Sequence, residues 1–418
     1  MVEVMGSVPR RAEVVVIGGG LAGLAATRRL VAEGLQVALV ESSDAPGGRV
    51  RTDLLDGIRL DRGFQLFNPA YPEARRVFDL TALDLHRFGA GATVAMGEQR
   101  YVVADPRREA AQLLRSIRAP VGSLREKLAF TRWAIECGYG PTTRIKSSPD
   151  RSLAEELHRR GLDGDLGRRV LQPFLAGVLG EQELTTSRRF ADLLVRSFVR
   201  GTPALPAAGM QALPDQLAAA LPVDVLHVST TASTVRADTV VTDRGTITAR
   251  AVVIAADPAA ACSLAGIPAP QLHGLTTYYH LADQPPSDSR MLHLDGEHRG
   301  PLLNTAIISN VAPSYSAGAA LIASTVLGAH TDAETGEAVR QQAGLIYGVD
   351  TRRWQLIASY PRRHALPAMP APLTLRKPVH MANGLFLAGD HRDTASIQGA
   401  LVSGRRSATA VLSFLGVT

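Results

Sequence analysis

Gly18, Gly20 and Gly23 stand at G-x-G-x-x-G spacing, and Glu41 follows the last of them by eighteen residues. Three glycines and an acid at these intervals can cradle a dinucleotide. The first glycine allows a tight turn, the second lets backbone approach a pyrophosphate, and the third lets a helix lie close on a strand. The acid meets a ribose 2′-hydroxyl and repels a 2′-phosphate. Such a cradle needs a strand before it and a helix after it. Val14 to Ile17 is a β-branched apolar run that reads as a buried strand. A helix is expected from about Leu21 to Glu33, its first amides, from Leu21 and Ala22 onward, and its positive dipole end aimed at phosphates. Gly34 is placed to end that helix, and a second strand, Gln36 to Val40, delivers Glu41.

Past Glu41 and Ser42 the chain runs through Pro46, Gly47, Gly48 and Arg49 into TDLLDGIRLDRGFQLF, where Asp56 and Gly57 between two alternating runs signal a hairpin. Near the other end, residues 384 to 404 read GLFLAGDHRDTASIQGALVSG, a short buried-strand pattern, then Gly389 and Asp390, then a helix expected to run to about Phe414. Gly399, Ala400, Gly404, Ser407, Ala408 and Ala410 put a stripe of small residues on that helix, suited to close packing.

In these stretches the chain resembles the flavin-containing amine oxidase superfamily, which includes protoporphyrinogen oxidases and phytoene desaturases. The resemblance implies an α/β chain with a glutathione-reductase-like FAD-binding Rossmann domain and a discontinuous α+β substrate domain. It implies that Gly47, Gly48 and Arg49 lie along the FAD diphosphate and ribityl chain, and that Ser42, Gly63, Phe64 and Gln65 join the cofactor site. Asp390 would serve the ribityl and phosphate region. Ser396, Ile397, Gln398, Gly399 and Ala400 would serve the flavin edge, with the amides around Gln398, Gly399 and Ala400 facing the N1 and C2 carbonyl side. The middle segment PAAGMQALPDQLAAAL (206 to 221) and the strand pattern AVVIAADP (251 to 258) fit the same domain, and the position that brackets adenine through its backbone corresponds to Ala232. The expected division is 1–70, 206–267 and 375–418 for FAD, and 71–205 with 268–374 for substrate, the first of these two largely helical and the second opening with a strand near Leu275 to Ala282.

Composition sets limits. With 418 residues, 45% of them hydrophobic, and no apolar run of membrane-spanning length, the chain reads as globular with ample core. The opening MVEVMGSVPRR has no apolar stretch of a secretion signal. Cys137 and Cys262 stand alone and far apart, which fits a reducing, cytoplasmic setting and offers no metal site. Because no cysteine follows position 262, the FAD is expected to be held non-covalently. The net charge of +6 is almost wholly arginine scattered among acids, so nucleic acid is not an expected partner. The densest basic stretch, residues 104 to 133, carries seven basic and three acidic residues at mostly helical spacing. Such a stretch can touch an anionic membrane surface, although a solvated face is the plainer reading. The segments 284 to 289 and 361 to 372 read as loops. Nothing in the sequence fixes an oligomeric state.

No catalytic residue is assigned. Amine oxidases of the resembled family place a lysine near flavin N5 where this chain has Thr277, and an aromatic wall where it has Ser396. Both departures favour the desaturase-like branch. The expected function is an FAD-dependent oxidoreductase moving hydride from a small, mostly apolar organic substrate to flavin N5. An amine oxidase, or a redox-neutral isomerase or binding protein, stays as an alternative. Gln65, Tyr278, Tyr279, His280 and His391 are the polar candidates near the site, with Tyr278 and Tyr279 necessarily on opposite faces of their strand. No second G-x-G-x-x-G follows a strand between residues 50 and 380. NADH and NADPH are therefore expected not to reduce the flavin at a useful rate. Stopped-flow absorbance checks this, and rapid stoichiometric bleaching by either would overturn it.

Overall fold

Val14–Ile17 (β1) is buried at all four positions, as a strand with a covered surface on both sides must be. In the computed structural model, which describes residues 8–236 and 238–417, β1 pairs in parallel with β2 (Val37–Val40) on one side and with Ala251–Ile254 on the other. The first seven residues of the opening MVEVMGSVPRR, where no secretion signal is expected, lie outside the described residues. Leu226–His227 extends the sheet beyond β2, and Leu385–Leu387 followed by His380–Ala382 extends it beyond Ala251–Ile254, giving six strands. The two-residue side-chain period divides its cover. Val14 and Val16 face α1 (Leu21–Ala32) and the terminal helix Ile397–Leu415. Val15 and Ile17 face a three-stranded antiparallel layer, Ala232–Val235, Thr239–Thr242 and Gly245–Thr248.

The small-residue stripe does what its spacing suggests. A Cβ built on Gly404 would overlap the Ala22 carbonyl oxygen, so α1 and the terminal helix cross backbone against backbone. The hairpin is β3 (Thr52–Leu55) and β4 (Ile58–Asp61), turned by Asp56 and Gly57 at φ 48° and 82°. Positive φ at both central residues is what a two-residue hairpin turn requires.

A second sheet of seven strands runs in the order Gln355–Pro367, Leu272–Ala282, Ala320–Leu327, Leu302–Ile307, Leu292–Asp295, Gly91–Met96, Gln99–Ala104. Residues 71–205, largely helical, also supply the last two strands of this sheet. One expectation needs correction: residues 361–372 are not simply a loop, because the strand Gln355–Pro367 runs through Pro361. That strand is the sheet's edge, where a proline without an N–H leaves no ladder bond broken, and the register shifts twice along it. The basic stretch forms two helices, Leu113–Arg118 and Leu124–Tyr139. Ser123 and Glu126 form a capping box at the second. Leu114, Leu124 and Leu128 remain exposed. Among the described residues no helix is long and apolar enough to cross a membrane, and no group of three or more His, Cys, Asp or Glu side chains is arranged to hold a metal.

Asp61 ties the hairpin to the seven-stranded sheet through Tyr279 and to the segments that carry Met210 and Tyr315. Its carboxylate accepts from Thr52 Oγ1 at 2.6 Å, the Met210 amide at 3.0 Å and the Tyr315 hydroxyl at 2.9 Å, while its carbonyl accepts from the Tyr279 hydroxyl at 2.9 Å. Burial pushes the Asp61 carboxyl up to about 6, against the pull of the bonds from Thr52, Met210 and Tyr315. The folded protein thus keeps a proton that the unfolded chain releases near pH ~4. The resulting stabilisation is complete below that pH and is lost as pH rises through about 6. Melting temperature followed across this window should fall more steeply in the parent protein than in Asp61→Asn, and parallel curves would remove Asp61 from that role.

Candidate functional site

The turn between β1 and α1 closes on backbone. Gly18 has φ 103°, and a Cβ there would stand 2.7 Å from the Ala255 carbonyl oxygen. On Gly23 a Cβ would overlap the Gly18 carbonyl oxygen. Gly20, by contrast, would direct a Cβ into space with nothing within 4 Å. The first helical bond runs from Leu24 N–H to the Gly20 carbonyl at 2.9 Å, so the amides of Leu21, Ala22 and Gly23 precede the helical ladder and point out of its end.

Glu41 is buried and holds this turn open from the side. Its carboxylate accepts from the Gly19 amide at 2.6 Å and the Ser43 amide at 2.8 Å, with the Ser42 hydroxyl at 3.4 Å. The Thr230 amide donates to the Glu41 carbonyl at 2.8 Å, which leads the segment toward half-buried Ala232 past the same strand end. Above the turn, Gly47 donates to the Gly19 carbonyl at 2.9 Å, and Gly48 faces Gly20, a Cβ on it standing 3.4 Å from the Gly20 Cα. Gly47 and Gly48 both have positive φ.

Arg49 then reaches across the molecule. Its guanidinium pairs with Asp390 at 2.7 Å and donates to the Ala365 carbonyl at 2.8 Å. It is a paired residue, not a solvated surface arginine. Gln65 donates through Nε2 to the Arg49 carbonyl at 2.5 Å, and the Phe64 amide donates to Thr277 Oγ1 at 2.8 Å. Gly63, at φ 131°, leaves its side toward the site open, with only Gln65 Nε2 at 3.9 Å. The Gly389 amide is fixed by Ser403 Oγ at 2.9 Å. The terminal helix is capped by Ser396, whose hydroxyl accepts from the Gly399 amide at 3.1 Å.

That cap corrects one expectation. The Gly399 amide is taken by Ser396 Oγ and the Ala400 amide by the Ser396 carbonyl at 2.9 Å, so the open amides of this helix end belong to Ile397 and Gln398. The Gln398 side chain turns aside to accept from the Glu73 amide at 3.0 Å.

The polar candidates separate by face. Tyr279 is core, with its hydroxyl on Asp61. Tyr278 is equally buried but on the opposite face, against Gly336 of the helix Ala333–Tyr347, and His280 shares that face near Trp354. Neither belongs to the glycine turn. His391 does stand beside Asp390. It is buried, neither ring nitrogen has a hydrogen-bond partner, and burial pushes its pKa down to about 4, the charge of Asp390 opposing. The ring is neutral at pH ~7.

Two further residues escape a sequence reading. The register aligns Tyr360, Thr277, Thr325 and Asn304 in one row across four strands, on the face that Phe64 meets. Thr325 and Asn304 carry no motif, and only strand pairing brings them to Thr277.

The donor set suits an extended dinucleotide. Free helix amides and open backbone at Gly20 can take a diphosphate, and Arg49, its charge balanced by Asp390, adds guanidinium donors. The Gln65 Oε1 and both His391 nitrogens are buried polar atoms without partners. A polar ligand would satisfy them.

A family model of flavin containing amine oxidoreductases matches residues 21–412. The chain is 32% identical over 187 residues to a coproporphyrinogen III oxidase of Propionibacterium freudenreichii, covering 43% of this chain and 30% of that one. It is 40% identical over 85 residues to a hydroxyneurosporene desaturase of Rubrivivax gelatinosus, 20% of this chain and 14% of that one. These matches span less than a third of either relative. A solved oxidoreductase structure from Methanosarcina mazei superposes with TM-score 0.72 at 14% identity, over 96% of this chain and 99% of that one, a likeness of fold alone.

Proposed function

The chain belongs to the flavin-containing amine oxidoreductases, FAD-dependent oxidoreductases, and from that premise we propose that it oxidises a small, mostly apolar organic molecule at carbon, as a dehydrogenase, desaturase or oxidase. FAD, when bound, supplies the hydride acceptor at N5. We read residues 1–70, 206–267 and 375–418 as a glutathione-reductase-like FAD-binding Rossmann domain, and 71–205 with 268–374 as the discontinuous α+β substrate domain. The distribution of strands supports this division, since every strand of the six-stranded sheet falls in the first set and every strand of the seven-stranded sheet in the second.

In this reading Leu21, Ala22 and Gly23 present amides to the diphosphate, Glu41 orients the ribose end, and Ala232 backs the adenine. Gly47, Gly48 and Arg49 follow the diphosphate, with Arg49 held in place by Asp390. The open amides of Ile397 and Gln398 offer positive charge to the flavin edge. The cofactor is held without a covalent bond.

The observation that carries the choice of substrate is the use made of Thr277. Its hydroxyl is engaged by the Phe64 amide, and Ser396 is engaged as a helix cap, so the two positions where the amine-oxidising branch steers a neutral amine do other work.

Two outcomes are expected. Glu41→Ala loses charge-assisted bonds to the turn and the ribose, and should weaken FAD retention by roughly 1.5–3 kcal/mol, about 10- to 150-fold in dissociation constant. Equilibrium dialysis with FAD fluorescence measures this, and unaltered retention would take Glu41 out of the cofactor site. Primary, secondary and polyamine substrates, followed by flavin reduction and peroxide release, should turn over poorly. Efficient turnover of any simple amine would replace this reading with an amine oxidase.

A further inference from the structure

We propose that Asn304 and Thr325 are specificity-determining residues that bind a neutral hydrogen-bonding group, a hydroxyl or carbonyl, on an otherwise apolar substrate. The inference rests on the carbon-oxidising reading and names the substrate class more closely. Strand register puts Thr277 opposite Thr325, and Thr325 opposite Asn304, so the three side chains emerge in one row on one face. That face is turned toward the cofactor motif, because Thr277 Oγ1 holds the Phe64 amide and Gln65 next to it holds Arg49. The adjoining rows are apolar in their middle strands: Ala323 with Ala306, then Leu321.

Both residues are buried, 2% and 3% exposed, and Thr325 Oγ1 and Asn304 Oδ1 have no partner among the described residues. A buried polar atom left unpaired costs stability, and nothing in the packing requires these atoms, since valine and leucine have the same shapes. A second observation comes from the covering helix Gln172–Leu179. A Cβ on Gly177 would overlap Asn304 Nδ2, so a mid-helix glycine, unfavourable in itself, makes the room that the carboxamide occupies. Tyr360 at the end of the row commits its hydroxyl to Asp53 at 2.9 Å, and Asp53 is itself paired with Arg62 at 2.7 Å. With no charged side chain in the row, a carboxylate or ammonium would be desolvated without a counter-charge, which leaves a neutral group as the one that fits.

The test uses FAD-loaded protein and the variants Thr325→Val, Asn304→Leu and the pair. Terpenoid alcohols and ketones of graded chain length, each beside its parent hydrocarbon, are titrated anaerobically and binding is read from perturbation of the flavin absorbance. The parent protein should bind the oxygenated member at least about tenfold more tightly than its hydrocarbon, and the double variant should narrow the ratio to below about threefold. Melting temperature and FAD content should be unchanged or higher in the variants, as expected where unpaired polar atoms are exchanged for apolar ones of equal shape. A melting temperature lowered by several degrees, an unaltered ratio, or no binding by any oxygenated probe would overturn the inference. Binding is read without turnover, so this failure is distinct from amine oxidation, which would instead overturn the carbon-oxidising reading.

Discussion

The rest of the structure depends on the close approach of backbone at the first turn. Gly18 lies against Ala255 and Gly23 against Gly18 with no space for a side chain at either, and that contact sets the distance between β1, α1 and the strand Ala251–Ile254. Glu41 then spans from β2 to the Gly19 amide, so the same turn is held from two strands at once. Everything downstream inherits this spacing. Gly47 and Gly48 lie over the turn, the terminal helix crosses α1 at Gly404, and Arg49 projects far enough to meet Asp390. One added methyl group at Gly18 or Gly23 would propagate through all of these contacts, because packed backbone has no rotamer with which to yield.

Much of this was legible in the sequence, and for a physical reason. Glycine spacing, a β-branched run and an Asp-Gly turn are local signals, each decided by the backbone preferences of a few neighbouring residues. The strand Val14–Ile17, the helix after it, the acid at Glu41 and the hairpin all appear where those signals place them. The strand through Pro361 was not legible, because whether a proline is tolerated depends on a strand standing at a sheet edge, which is a property of the assembled sheet. The same holds for the helix end at Ser396. Its motif was visible, but which amides stay open depends on where the serine hydroxyl turns. The row of Thr277, Thr325 and Asn304 is the extreme case, since three strands must pair before the residues become neighbours.

The two sheets solve different problems. The six-stranded one is apolar on both faces of β1, with Val14 and Val16 to one side and Val15 and Ile17 to the other. The seven-stranded one carries polar residues inside it, on both faces, and meets the hairpin through Asp61. Through Asp61 the hairpin therefore leans on the layer that carries polar residues in its interior.

The pairing of Arg49 with Asp390 joins positions 341 apart in the chain. During synthesis at ~5–20 residues per second, the arginine waits roughly 17–70 s for the carboxylate that will hold it. Over that interval the glycine turn and α1 exist without the strand and helix that later close over them. The completed cradle is therefore a late product of translation. A ribosome stalled anywhere before Asp390 would carry a recognisable first half that lacks its clasp, so quality control by proteases and chaperones, acting on the exposed face of α1, has a long window in which to act before the cofactor can protect the chain.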